Sequence, residues 1–225
     1  IDAAIVPKFQ SSPNKTRDAM LGAIVGGIMG LAFALIAGIM DTRVRNEEIL
    51  GEVSGAAVLG SIPRSALLSR GGITVAQDPM GATAEDFRRV RSALTYANVD
   101  SQLHTLLITS ASPSEGKSTV AANLAFTLAD LRHTVLLIDA DLRRPRVHEV
   151  AGIDGSVGLT SVLLNESEFK DARYSVPGSS LDILPSGGIA PNPAEILTSE
   201  AMSQLIAAAS EQYDFVVIDS PPILI

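Results

Sequence analysis

Gly116-Lys117-Ser118-Thr119 closes a polar loop, TSASPSEGKST, that begins at Thr109 and follows the apolar run Leu106 to Ile108. Apolar residues bounded by turn formers suit a buried parallel strand, and the alanine-rich stretch after Lys117 suits a helix. A loop between the two gathers successive backbone N–H groups and the positive end of the helix dipole on one point, which suits a polyphosphate. There Lys117 offers a point charge to the β and γ phosphates, and the Ser118 hydroxyl offers a position on Mg²⁺. The phosphate-loop pattern is G-x-x-x-x-G-K-[ST], and Ala111 stands where its first glycine belongs, so the match rests on Gly116, Lys117 and Ser118. The expected contact segment comprises Ser112, Ser114, Glu115, Gly116, Lys117, Ser118 and Thr119.

Two later stretches, VLLIDAD (Val135 to Asp141) and FVVIDSPP (Phe215 to Pro222), are buried-strand patterns that run into a carboxylate. In an open parallel sheet the loops at the carboxyl ends of the strands share one crevice, so Asp139, Asp141 and Asp219 are expected to face the phosphates. The expected metal set is Ser118, Asp139 and Asp219 around Mg²⁺. Asp139 is also the candidate to take a proton from an attacking hydroxyl. Arg143 is read as a phosphate or carboxylate holder or a surface ion pair.

The elements that must position these groups alternate. A helix is predicted from Val120 to Leu131, a strand from Thr134 to Asp139, a helix from Gly158 to Leu164 and a short strand from Leu181 to Leu184. Asn192-Pro193 opens a helix carrying Glu195 and Leu197, Ala201 to Glu211 is amphipathic, and Asp214 to Asp219 is the last strand. Alternation of this kind implies an α/β fold, a doubly wound parallel sheet covered on both faces, with right-handed crossovers.

Upstream, Met20 to Met40 is uncharged and apolar on every face. At 1.5 Å per residue a helix of about 20 residues crosses the roughly 30 Å hydrocarbon core of a bilayer. The run exceeds the roughly 7 to 15 residues of a signal-peptide core. Gly22, Gly26 and Gly30 share one face, which suits close helix packing. Lys8, Lys15 and Arg17 precede the span and Arg43 and Arg45 follow it, so positive charge does not orient it. The nucleotide site does, because ATP is cytosolic.

The expected organisation is an extracytoplasmic flank (1–18), a transmembrane helix (19–41), a cytoplasmic connector (42–80) and a nucleotide domain (81–225). The connector is broken by glycine and proline, with a short helix expected around Arg45 to Leu50 and a short strand around Ile73 to Val75. Thr83 to Tyr96 reads as a helix with Thr83 as N-cap and Asp86 as its capping-box partner. On it Glu85, Arg88 and Arg91 recur every three residues, and by periodicity alone they form a solvated face.

A net charge of −8 speaks against a nucleic-acid partner, since phosphate backbones reward clustered Lys and Arg. With no cysteine the chain has neither disulfides nor thiolate metal sites, and His104, His133 and His148 lack ligand spacing. The chain starts on Ile1 and stops at Ile225, just past a predicted core strand, and is expected to be part of a larger fold.

These stretches together resemble the bacterial protein-tyrosine kinases that control capsule and exopolysaccharide synthesis, of the type fused to a chain-length determinant. The resemblance covers nearly the whole chain: the span with VLGSIP behind it, EDFRRVRSAL, TSASPSEGKST, LLIDADLRRP, ILPSGGIAPNPAEIL and YDFVVIDSPP. It implies ATP and Mg²⁺ at Lys117 and Ser118, a second motif on Asp139 and Asp141, and Asp219 holding Mg²⁺ through water. It implies that Glu85, Arg88 and Arg91 dock subunits into a ring-like homo-oligomer that phosphorylates itself in trans. It also implies location in the inner membrane with the kinase domain cytoplasmic, and as partners the polysaccharide polymerisation and export machinery and a protein-tyrosine phosphatase. Two departures stand out. Ser114 replaces the usual glycine and demands room or a left-handed backbone, and Tyr96, Tyr174 and Tyr213 are scattered and read as structural, where the family carries a terminal tyrosine cluster.

Two other functions compete. An ATPase of the cell-division and chromosome-partitioning (MinD and ParA) type shares the sheet and loop but carries a second lysine where this chain has Ser112, and lacks a span. A non-catalytic chain-length scaffold with a degenerate nucleotide fold is the other.

Overall fold

Residues 135–138 carry apolar side chains without a break, and a strand of that kind is stable only with cover on both faces. In the computed structural model, which describes residues 14–40, 50–51, 54–97, 103–188 and 190–224, that is what surrounds them. Strands β1 (Thr105–Ile108), β2 (Val135–Asp139), β3 (Tyr174–Ser175), β4 (Leu181–Leu184) and β5 (Phe215–Asp219) form one sheet in the order β1-β5-β2-β4-β3. Pairings are parallel except β3 with β4, an antiparallel edge that the sequence pattern did not announce.

The helices, in chain order, are α1 (Lys15–Met40), α2 (Ala66–Arg70), α3 (Thr74–Gln77), α4 (Ala82–Ala97), α5 (Lys117–Ala129), α6 (Val147–Ala151), α7 (Leu159–Leu163), α8 (Phe169–Ala172), α9 (Pro193–Leu197) and α10 (Glu200–Gln212). Successive strand residues point to opposite faces, and β2 shows it: Val135 and Leu137 join a core shared with α4, α5 and α6, while Leu136 and Ile138 join one shared with α7 and α10. The sheet is thus wound with helices on both sides, and the carboxyl ends of β1, β2 and β5 fall in register, Ile108 opposite Asp219 and Asp219 opposite Asp139.

The chain divides into two compact units, Ile1–Val58 and Leu59–Ile225. Within the first, α1 buries none of its residues. Its stretch from Ala19 to Met40 is uncharged, and at 1.5 Å rise it is roughly 33 Å long, enough to cross a membrane by length and composition. The helix begins at Lys15, where Asn14 Oδ1 accepts the Arg17 amide at 3.3 Å. Residues 45–49 of the short helix expected before Leu50 lie outside the described residues. The second unit begins at Leu59, so residues 59–80 of the expected connector pack inside it.

Two local expectations need correction. Residues 73–75 do not form a strand. Thr74 and Val75 are buried in α3, and the Val75 amide finds its acceptor in Asn123 Oδ1 at 3.0 Å, a tertiary bond that outweighs the β-branched side chains. Thr83 is not the cap of α4, because the helix already starts at Ala82. Its hydroxyl turns to Ser65 Oγ, and Asp86 pairs instead with Arg89.

Candidate functional site

The loop between β1 and α5 is shaped by its own side chains. Glu115 Oε2 accepts the amides of Ala111 and Ser112 at 3.1 and 3.2 Å, and Ser110 Oγ donates to the Ser112 carbonyl. Gly116 turns into α5 with φ 90°, a left-handed conformation that glycine adopts without strain. Ser114 also lies at φ 65°, so the left-handed alternative raised by its side chain is the one adopted. The amides of α5 before Val120, whose own amide donates to the Gly116 carbonyl at 2.9 Å, have no acceptor within the helix. Glu115 and Ser112 are therefore parts of the loop's scaffold, while Gly116, Lys117, Ser118 and Thr119 present its open face.

Lys117 crosses to the neighbouring strand ends. Its Nζ lies 2.6 Å from Asp219 Oδ1, 3.4 Å from Asp141 Oδ2 and 3.5 Å from Ser118 Oγ, with the lysine and both aspartates buried. Burial raises the Asp219 pKa, opposed by its hydrogen bonds with Lys117 and Ser118. Asp219 Oδ2 is buried without a hydrogen-bond partner.

Asp139 takes a different post from the one its motif suggests. Its Oδ2 accepts the amides of Arg146 and Val147 at 3.2 and 3.0 Å, and its Oδ1 that of Asp141 at 3.2 Å. Burial pushes its pKa up to about 7 against the Val147 hydrogen bond, with the Asp219 charge adding to the rise. The side chain has no solvent exposure, and its three amide contacts hold the β2 to α6 turn. It is Asp141 that shares Lys117 with Asp219, its other oxygen taking the Arg144 amide at 3.1 Å. Of the two aspartates of this motif, Asp141 is thus the one paired with Lys117 and Asp139 the one bonded to the turn.

The residues fit Mg²⁺ and a triphosphate. A hard cation of this kind takes one or two carboxylates, a hydroxyl and waters, and the unpartnered Asp219 Oδ2 beside Ser118 supplies the start of that set. The cavity in front of the loop measures about 680 Å³, within the range of small-molecule sites, and Lys117, Ser118, Thr119 and Asp141 line it. Its other walls were not foreseen. Arg144 and Arg146 stand in the same LRRPR run as Arg143, and Leu68, Ser69 and Gly71 come from α2 and its C-cap, a stretch with no motif.

Glu85, Arg88 and Arg91 lie together on α4. Arg88 meets Glu85 at 3.4 Å and the Pro79 carbonyl at 2.6 Å, and Arg91 donates to the Thr127 carbonyl of α5 at 2.8 Å. Of the tyrosines, Tyr213 is structural, buried with its hydroxyl between Arg173 and Asp182, whereas the Tyr96 side chain is exposed.

A family model described as "AAA domain" matches residues 108–225. The chain is 48% identical over 147 residues to the tyrosine-protein kinase YwqD of Bacillus subtilis, covering 65% of this chain and 62% of that protein. It is 32% identical over 240 residues to the tyrosine-protein kinase wzc of Salmonella typhimurium, covering 100% of this chain and 33% of that protein. The chain therefore spans less than two thirds of these relatives' length. Among solved structures it resembles the kinase domain of the Escherichia coli tyrosine kinase ETK, with TM-score 0.75 and 31% identity over 81% of this chain and 74% of that one. It also resembles the BceF tyrosine kinase domain, with TM-score 0.73 and 29% identity over 81% of this chain and 78% of that one.

Proposed function

The chain belongs to the AAA-domain family and groups there with bacterial tyrosine-protein kinases, and from that premise we propose that it carries the nucleotide site of a membrane-anchored kinase that transfers phosphate from ATP to protein tyrosine. The observation that carries the reading is the meeting of Lys117, at the start of α5, with Asp219 at the end of β5 and Asp141 just past β2, at the mouth of a phosphate loop.

Phosphoryl transfer passes through a loose transition state, so alignment and charge neutralisation supply most of the rate. The first-turn amides of α5 and the Lys117 ammonium orient and neutralise the phosphates. Ser118 and Asp219 would hold Mg²⁺, which when bound would supply neutralising charge to the phosphates. Asp141 receives the proton of the attacking tyrosine, whose ordinary pKa is near 10. Asp139 fixes the turn that carries Asp141. Lys117, now bonded to Asp219, exchanges that partner for phosphate when the triphosphate enters.

In this reading α1 anchors the protein in the inner membrane with the nucleotide unit in the cytoplasm. Glu85, Arg88 and Arg91 dock neighbouring copies, so that phosphorylation occurs in trans within a ring. Partners are the capsule or exopolysaccharide polymerisation and export machinery and a protein-tyrosine phosphatase. The decisive experiment compares phosphotyrosine by mass spectrometry in the full-length protein and in Lys117→Met. Phosphorylation confined to the parent supports the assignment, and equal phosphorylation of both removes it.

A further inference from the structure

The cavity carries more positive charge than a triphosphate anchored at Lys117 uses. Arg143, Arg144 and Arg146 follow β2 closely, line the cavity and are exposed. Arg146 is matched by Glu149, Nε to Oε2 at 2.8 Å, but among the described residues the Arg143 and Arg144 guanidinium groups have no ion-pair or hydrogen-bond partner. The backbone beneath them is fixed, since the amides of Arg144 and Arg146 donate to Asp141 and Asp139. Two unmatched cations thus stand on a rigid turn of a chain whose net charge is −8. Beside them Leu68 and Val150 give the same cavity an apolar wall.

A ligand suited to both features has a flat apolar group and carboxylates a few ångströms away. Guanidinium groups pair with carboxylates through two parallel hydrogen bonds, and they are strongest where the geometry is held in advance. A phosphoacceptor has to enter this cavity, because its hydroxyl must reach the phosphate next to Lys117. We propose that Arg143 and Arg144 form an acceptor subsite that selects tyrosine peptides with acidic flanking residues, the ring lying against Leu68 and Val150. The inference rests on the kinase reading and narrows its substrate class.

The test uses the full-length protein in nanodiscs with two probes, a random Glu-Tyr copolymer and a neutral tyrosine peptide. In Arg144→Glu the KM for the copolymer rises at least tenfold, while the KM for the neutral peptide and for ATP changes less than twofold. Arg144→Lys, which keeps the charge, recovers most of the loss, and raising the salt weakens copolymer use by the parent. An unchanged copolymer KM, an equal rise for both probes, or a rise in the KM for ATP overturns the subsite while leaving the kinase reading in place. A parent that binds ATP and phosphorylates neither probe removes both.

Discussion

Lys117 Nζ lies 2.6 Å from Asp219 Oδ1, a buried contact between residues 102 positions apart, and it fixes the loop after β1 against the end of β5. Both side chains are largely buried, so removing one member leaves the other poorly compensated, at a cost of up to about 3 to 5 kcal/mol.

Lys117→Met is therefore expected to lose both nucleotide and stability. Calorimetric titration with Mg-ATP should show affinity at least about 100-fold weaker, the order expected for losing a charge-assisted phosphate contact. Urea unfolding at pH 7 should show a loss of about 3 kcal/mol, shrinking as the pH falls and the raised pKa of Asp219 lets it accept a proton. Unaltered titration would sink the assignment of Lys117 to phosphate.

Ser114 sits at φ 65°, where a side chain costs about 1 to 2 kcal/mol. Ser114→Gly should raise the unfolding free energy by about 1 kcal/mol, partly offset by the greater freedom of glycine in the unfolded chain. Ser114→Val should lower it by more, since β-branching disfavours this backbone further. A denaturation series that ranks valine above serine contradicts the strain.

Asp139 has its pKa raised to about 7 by burial, from an ordinary 3.8. Between those values the folded state binds more protons than the unfolded one, so stability falls as the pH rises. The contribution is complete below about 4 and lost as the pH passes through about 7. In metal-free buffer the carboxyl carbon resonance of Asp139 should titrate near neutrality. A midpoint near 4 would refute the desolvation.

The α4 face yields a separable result. Arg91 also ties α4 to α5 through the Thr127 carbonyl, so Arg91→Ala should weaken the fold by about 1 kcal/mol as well as any assembly. Glu85 makes only an exposed contact with Arg88, and Glu85→Arg should leave the melting temperature nearly unchanged. Light scattering then decides the ring. If Glu85→Arg assembles like the parent, the face is a surface of the monomer.

The strand-loop-helix around Lys117, the strands ending in Asp139 and Asp219 and the long apolar α1 were legible from residue order, because each rests on local periodicity and on residue types within one element. Parallel β pairing was legible too, since uninterrupted apolar strands alternating with helices leave few other arrangements. What residue order left open was which acid meets the lysine. Asp139 and Asp141 are two positions apart, and the D-x-D spacing treats them alike. Only the packed turn, in which three amides claim Asp139 and leave Asp141 to face Lys117, tells the two apart. The walls supplied by α2 were equally hidden, as was the helical state of Thr74 to Gln77, because both depend on partners distant in sequence, Asn123 among them. Local propensity therefore determined the elements, and long-range hydrogen bonding and burial decided which side chains those elements deliver to the cavity.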